Sequence, residues 1–325
     1  MTNFNDIKGQ ETAVKYLRNS LRARRLSGSY LFFGPRGVGR SLCMKAFIMA
    51  MVCKEKINDH EACGKCSACI KVLDHNHPDI SWIKPEKNKA IKIEEVRRVK
   101  NALSLKPYEA PVSVCVIEDA HMMTVPASNA LLKVLEEPPE KALLILVTDK
   151  KELLLDTVIS RCTEVRFNPL PPAITKEIIR ERHPALDEGG VAFLACFSQG
   201  SPGRAREMLE EGLNERKDEV LNLLDTIIEE EDPSCLNWEN DNKELLLEDL
   251  EMLIMLLRDI ALAKEGLTDM LLDKDVPGTG AYRFFENAGI DKIYSTVARI
   301  IGMKRALLGN VNPKIAAQVL PGMLK

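Results

Sequence analysis

Aromatic residues are scarce in this chain, at 5%, and basic residues do not outnumber acidic ones, with 45 Lys and Arg against 48 Asp and Glu. A net charge of -3 removes the broad positive footprint of a free nucleic-acid-binding domain. A basic-plus-apolar opening is also missing, because Met1–Gln10 is polar, so no export signal is expected. The most apolar stretch, Leu245–Ala263, is broken by Glu248, Asp249, Glu251, Arg258 and Asp259, which argues against a membrane span. Nine cysteines, an odd number without an export signal, point to a reducing cytoplasm. Leu, Ile, Ala, Lys and Glu dominate what is present, which favours helices. The length of 325 residues allows two or three domains.

The most informative stretch is Gly34–Ser41, which reads Gly-Pro-Arg-Gly-Val-Gly-Arg-Ser. Ser29–Phe33 before it is an apolar run of strand type. Leu42–Val52 after it is helical in type, with Leu42, Ala46 and Met49 at helical steps. A strand, a glycine-rich turn and a helix start form the context of a phosphate-binding loop, where glycines admit phosphates and helix N–H groups face the anion. The spacing fits Gly-x4-Gly-Lys-Ser/Thr everywhere except at Arg40, which stands where lysine belongs. A planar guanidinium does not replace a compact, rotatable ammonium without displacing something. Nucleotide binding through the backbone and Ser41 remains open, and hydrolysis is not expected.

Cys53, Cys63, Cys66 and Cys69 form a second pattern. Cys-x2-Cys turns deliver two thiolates at once, and a tetrahedral ion such as zinc takes four. An iron–sulfur run begins in the same way, but its fourth cysteine would fall where Leu73 sits. The expectation is one structural zinc in a closed site, with His60, His75 and His77 as surface residues. The arginines Arg18, Arg22, Arg24 and Arg25 crowd the end of a helix expected over Glu11–Arg25, where cations suit the helix dipole and read as a solvated face.

Val112–Ile117 reads as a buried strand ending in Glu118 and Asp119, the acids that a magnesium–nucleotide site uses. Helices are expected over Ile93–Leu105, with Val96, Val99 and Leu103 on one face, and over Ala127–Glu137. A strand is expected over Leu143–Thr148 and a last short one over Glu164–Phe167. The alternation predicts a doubly wound α/β domain to about residue 167. After the linker Asn168–Pro172 every segment reads as helical, with polar punctuation over Glu229–Pro233 and Asn237–Asn242 and a loop at Gly278–Gly280. Lys243–Glu265, with Leu246, Leu250, Leu253, Leu257 and Ile260, must bury more than one side.

With these residues in place, the chain resembles the bacterial clamp-loader AAA+ subunits of DNA polymerase III over most of its length. The resemblance rests on Phe4–Gln10, Gly34–Ser41 and the four cysteines, whose family counterpart binds zinc. It rests also on Asn129–Lys133 with Leu135–Pro139, on Ser160-Arg161-Cys162 and on Asn310–Asn312. It implies an α/β P-loop (AAA+) domain with a zinc module at residues 1–167, a small helical lid at 168–212 and an all-α oligomerising collar at 213–325. Gly34, Gly37, Gly39, Arg40, Ser41, Glu118, Asp119 and Thr148 would line the nucleotide site. Arg161 would project into a neighbouring subunit's site as an arginine finger.

Motor subunits of this family carry the lysine, an Asp-Glu pair and a nucleotide-sensing arginine in the lid. Here stand Arg40, the reversed pair Glu118-Asp119, and Gly203 at the lid position, with Arg204 one place on. Reversing the acids shifts each carboxylate by about one methylene, and a misplacement of about 1 Å can cost roughly a hundredfold in rate. The resemblance therefore implies the stationary, delta-prime type of subunit, a largely non-hydrolysing scaffold that lends Arg161 to an adjacent ATPase. Its partners would be motor (gamma/tau) and delta subunits, and through them the sliding clamp loaded on primed DNA during replication. The chain would belong to the DNA polymerase III holoenzyme, a nucleotidyltransferase as a whole, with its own ATPase site degenerate. Structural zinc is the expected cofactor, while ATP with magnesium stays open. The competing expectation is an active gamma/tau-type motor, against which the absence of a long tail beyond the collar also speaks.

Overall fold

The computed structural model describes residues 3–86, 89–229, 242–272, 276–309 and 311–324. The expected punctuation over 230–241, Asn310 of the expected collar motif, and the side chain of Val99 lie outside the described residues.

Five strands form one parallel sheet: β1 (Ser29–Phe33), β2 (Ile80–Ile83), β3 (Ser113–Ile117), β4 (Ala142–Thr148) and β5 (Thr163–Arg166), in the order β2-β3-β4-β1-β5. A parallel sheet is covered on both faces, which is why β1, β3 and β4 are continuously apolar. Leu31, Cys115, Ile117, Leu144 and Leu146 point to one face. They share a core with Val96 and Leu103 of α4 (Ile93–Leu103), Leu131 and Leu135 of α5 (Val125–Glu136), and Val158 of α6 (Asp156–Ile159). On the other face Tyr30 and Phe32 meet Phe47 with ring centroids 5.3 and 6.4 Å apart, and Phe32 meets Phe167 at 5.5 Å. Four aromatics, Tyr30, Phe32, Phe47 and Phe167, thus gather on this face around β1 and α2 (Arg40–Val52).

The first helix, α1 (Glu11–Arg22), stops three residues short of the expectation, and Arg24 turns the chain with φ 51°. Its arginines are not simply a solvated face. Arg18 pairs with the buried carboxylate of Glu61, and Arg22 Nε reaches His60 Nδ1 at 3.1 Å. Both tie α1 to the cysteine-bearing segment. That segment is not all loop either, because Cys69 lies on a short helix, α3 (Ser67–Leu73).

The chain separates into two compact units, residues 1–175 with 199–204, and residues 176–198 with 205–325. The segment 168–212 is therefore shared between them. The second unit is helical throughout its described residues. Its helices are α7 (Pro172–Arg182) and α9 (Pro202–Glu210), both starting in the first unit, with α8 (Glu188–Phe197), α10 (Leu213–Glu229), α11 (Lys243–Lys264), α12 (Gly280–Asn287), α13 (Ile290–Leu308) and α14 (Pro313–Leu324). Helix α11 buries Leu246, Leu250, Leu253, Leu257 and Ile260 together with Met252 and Leu256, so it is covered on more than one side as expected. Two of the acids that interrupt its apolar run, Asp249 and Asp259, are buried too. Asp249 accepts from Arg216 Nε at 2.9 Å and Nη2 at 2.7 Å, and Asp259 from Arg258 Nη1 at 2.7 Å and Leu272 N–H at 2.8 Å.

Helix α12 was not expected from the sequence. Its N-terminus is held by the Asp225 carboxylate, which accepts the N–H groups of Gly280 and Ala281 at 3.1 and 2.6 Å. Its C-terminal carbonyl of Glu286 accepts Lys264 Nζ at 2.8 Å. Thr279 adds a local N-cap by accepting Tyr282 N–H at 3.2 Å, while the contacts from Asp225 and Lys264 come from distant residues that a local reading misses. Among the described residues, no helix is long and apolar enough to cross a membrane.

Candidate functional site

The glycine-rich loop runs from the end of β1 into α2, and its glycines have separate reasons. Gly34 takes φ 144°, and a Cβ there would run into the carbonyl oxygen of Phe167 beyond β5. Gly39 takes φ 101° as the N-cap of α2, with open space around it. Gly37, at φ 76°, meets the segment 199–204 of the same unit. There Ser201 Oγ donates to the Arg36 carbonyl at 2.7 Å and Gly203 N–H to the Gly37 carbonyl at 3.0 Å. A Cβ on Gly203 would lie 2.5 Å from Gly37 Cα, so the position matched to a sensing arginine touches the loop with bare backbone.

Arg40 opens α2 and turns inward, only 8% exposed, with Nε and Nη1 lacking any hydrogen-bond partner. Burial pulls its pKa down, while the charges of Asp149 and Asp119 oppose that pull. Ser41 beside it is exposed. The reversed acids diverge. Glu118 lies 3.7 Å from Lys84 Nζ, whereas Asp119 takes a left-handed φ of 47°. Asp119, His121 and Asp149 place ligand-type atoms within 4.8 Å of one another. Thr148, buried at the end of β4, has its hydroxyl engaged, since Oγ1 accepts Lys150 N–H at 3.1 Å and lies 3.0 Å from His121 Nδ1. The sequence reading did not single out His121 or Asp149. Their signal was only position, His121 four residues after the end of β3 and Asp149 one after the end of β4.

The four cysteines converge. Sulfur–sulfur separations are 3.6 Å for Cys53–Cys63, 3.8 Å for Cys53–Cys66 and 3.5 Å for Cys66–Cys69. A tetrahedron of sulfurs about 2.3 Å from zinc has edges of about 3.8 Å. Four thiol sulfurs at this spacing, three of the residues buried, fit that ion. Backbone N–H groups of Cys63 and Cys66 point at Cys53 Sγ and Cys63 Sγ, both at 3.3 Å. Burial pushes the Cys66 thiol up, but N–H groups of Cys69 and Lys54 and the neighbouring thiols outweigh it and hold it at about 6.

This centre is braced on the sheet. Lys54 and Lys71 both pair with Glu109, at 3.2 and 2.5 Å. Asp79 accepts the N–H groups of Tyr108, Glu109 and Ala110 at 2.5, 2.8 and 2.8 Å. Burial pushes the Asp79 carboxyl up, yet those donors win and hold it below the usual carboxylate range. His77, expected at the surface, is 3% exposed, with Nδ1 accepting Asp79 N–H at 3.2 Å.

Arg161 lies between α6 and β5, about one third exposed. Its carbonyl accepts Ser29 Oγ at 2.7 Å, anchoring it to the first residue of β1. Its guanidinium is engaged within its own chain. Nε and Nη2 both reach Glu136 Oε1, at 3.0 and 2.8 Å, and Nη1 donates to the Thr157 carbonyl at 2.8 Å.

A parallel sheet in which β1 and β3 flank β4, a glycine-rich turn from β1 into a helix and an acid pair ending β3 define a P-loop type of α/β domain. The model of the family described as DNA polymerase III, delta subunit, matches residues 9–171, and the chain belongs to this family of clamp-loader subunits. DNA polymerase III subunit delta' of Bacillus subtilis is 26% identical over 93% of this chain and 92% of its own length. DNA polymerase III subunit tau of the same organism is 30% identical over 85% of this chain, and the chain spans only 51% of that relative. A gamma-subunit-related protein of Thermotoga maritima shares a looser likeness, with 18% identity, a TM-score of 0.44 and coverage of 95% of this chain and 98% of that one.

Proposed function

We propose that this chain is the stationary, delta-prime-type member of a clamp loader, which holds the assembly together and lends Arg161 to a neighbouring ATPase. The observation that carries the reading is the state of the chain's own loop. Arg40 is buried with its Nε and Nη1 unpartnered and feels the charges of Asp149 and Asp119, and Gly203 lies backbone-to-backbone against Gly37. A lysine's reach to terminal phosphates and a lid arginine's contact are both missing from that arrangement. The nucleotide-site set Gly34, Gly37, Gly39, Arg40, Ser41, Glu118, Asp119 and Thr148 is a degenerate one, and any nucleotide held there is not turned over. The gamma/tau-type motor reading is disfavoured by the same residues.

The cysteine centre holds zinc and keeps residues 53–69 folded. Residues 1–167 are the nucleotide-binding-type domain, 168–212 the lid and 213–325 the collar through which motor and delta subunits assemble. Sliding clamp and primed DNA are reached through that complex, in the cytoplasm. The test is reconstitution with the motor and delta subunits of the same organism. Arg161→Ala should leave assembly intact and lower clamp- and DNA-stimulated ATP turnover by about 10³ or more, the range seen for arginine fingers elsewhere. Arg161→Lys should rescue little, because the two-pronged fork is lost. Full turnover by the alanine variant would exclude the trans-acting role.

A further inference from the structure

We propose that Glu136 is a positioning residue that parks Arg161 on its own subunit and releases it by exchange for phosphoryl oxygens of the neighbouring site. The inference rests on the trans-acting reading of Arg161 and concerns how that residue is regulated.

A guanidinium offers its five N–H groups along two forks, one through Nε and an Nη and one through both Nη atoms. In this structure the first fork closes on a single carboxylate oxygen, Glu136 Oε1, at 3.0 and 2.8 Å. The second is spoiled because Nη1 donates to the Thr157 carbonyl at 2.8 Å and lies 3.5 Å from Ser160 Oγ. An incoming phosphoryl group therefore finds neither fork complete, and it must displace the carboxylate to be gripped by two donors. The backbone need not move for this, since Ser29 Oγ already fixes the Arg161 carbonyl. Glu136 is equally well placed, being the last residue of α5, whose N-cap Thr124 follows the acid pair Glu118-Asp119 by five residues. The pair is half-exposed, with Glu136 50% and Arg161 34% accessible. Ion pairs of that kind are individually weak, so the contact works as a latch that a dianionic phosphoryl group can outcompete.

The experiment measures ATP turnover in the reconstituted complex, with and without clamp and primed DNA. Glu136→Gln keeps the shape and removes the charge. It should raise unstimulated turnover by about fivefold, the factor a half-exposed ion pair can hold, while KM for ATP stays unchanged. Glu136→Asp, which keeps the charge, should stay within about twofold of the parent. Adding Arg161→Ala to Glu136→Gln should cancel the gain. Unchanged or reduced unstimulated turnover in Glu136→Gln overturns the inference, as does a gain that persists without Arg161. If Arg161→Ala alone supports parental turnover, the trans-acting reading itself fails. If it abolishes turnover while Glu136→Gln is silent, only the parking role fails.

Discussion

The two candidate sites of the first unit stand at opposite ends of one helix. Arg40 opens α2 under the glycine-rich loop, and Cys53 caps its far end as the first of the four thiols. Thirteen residues, about 20 Å of helix, separate a loop carrying a buried arginine from a cluster of four thiols. At the near end a buried guanidinium lies in the field of Asp149 and Asp119, and segment 199–204 hydrogen-bonds to the loop. At the far end the four thiol sulfurs converge, with separations of 3.5–3.8 Å. The lesson is that keeping a site's shape and keeping its chemistry are separable. At the loop the glycines hold positive-φ conformations, while Arg40 stands where the phosphate-loop consensus has lysine.

The largest effect should come at the thiolate end. Cys66→Ser is expected to take the metal content from one zinc per chain to none, and to raise amide exchange across 53–69 while leaving α11 protected. Elemental analysis of protein purified without chelator checks this. Parent protein free of zinc, or carrying an iron–sulfur spectrum, would remove the contrast between the two ends.

The loop end should respond to crowding rather than to metal. Gly203→Arg forces a side chain into the space where a Cβ already lies 2.5 Å from Gly37 Cα. Thermal unfolding of the first unit should show a loss of about 1–3 kcal/mol, as for other overpacked sites. Gly203→Ala should shift in the same direction by less. Unchanged stability in both would mean that 199–204 is not held on the loop.

Acid should sharpen the comparison through His77, which braces the thiolate side. Burial pulls its pKa below the ordinary histidine value, with Glu109 and Asp79 opposing. The unfolded chain therefore takes up this proton first, so the histidine's contribution is complete above about pH 6.5 and is lost as pH falls below it towards the folded pKa. His60 and His75 are lowered by burial as well and share that sign. Denaturant melts from pH 7.5 down to 5.5 should fall less steeply for His77→Asn than for the parent. Parallel slopes would exclude His77 from the effect.

The smallest expected change is none. Arg40→Lys restores the loop's consensus, but Glu118 still turns to Lys84 and Gly203 still lacks a side chain. Lone-chain ATP turnover should stay at background. Turnover at a motor subunit's level, abolished by Ser41→Ala, would show that Arg40 alone had silenced the site.

Local sequence alone determined the strand–glycine loop–helix unit, the four-cysteine spacing and the apolar strands of a doubly covered sheet. Each is written in residues close together, where φ, spacing and periodicity act directly. It also exposed the departures at Arg40, Glu118-Asp119 and Gly203. Only the tertiary structure decided which side chains meet, because those contacts join residues far apart in the chain. Glu61 reaches back to Arg18, Asp79 gathers three N–H groups near residue 109, and Gly203 meets Gly37 across 166 positions. The same holds for Asp249 and Asp259, which read as breaks in an apolar run and prove to be buried and paired. A charge's partner is chosen by packing, and packing is a property of the folded chain rather than of any segment of it.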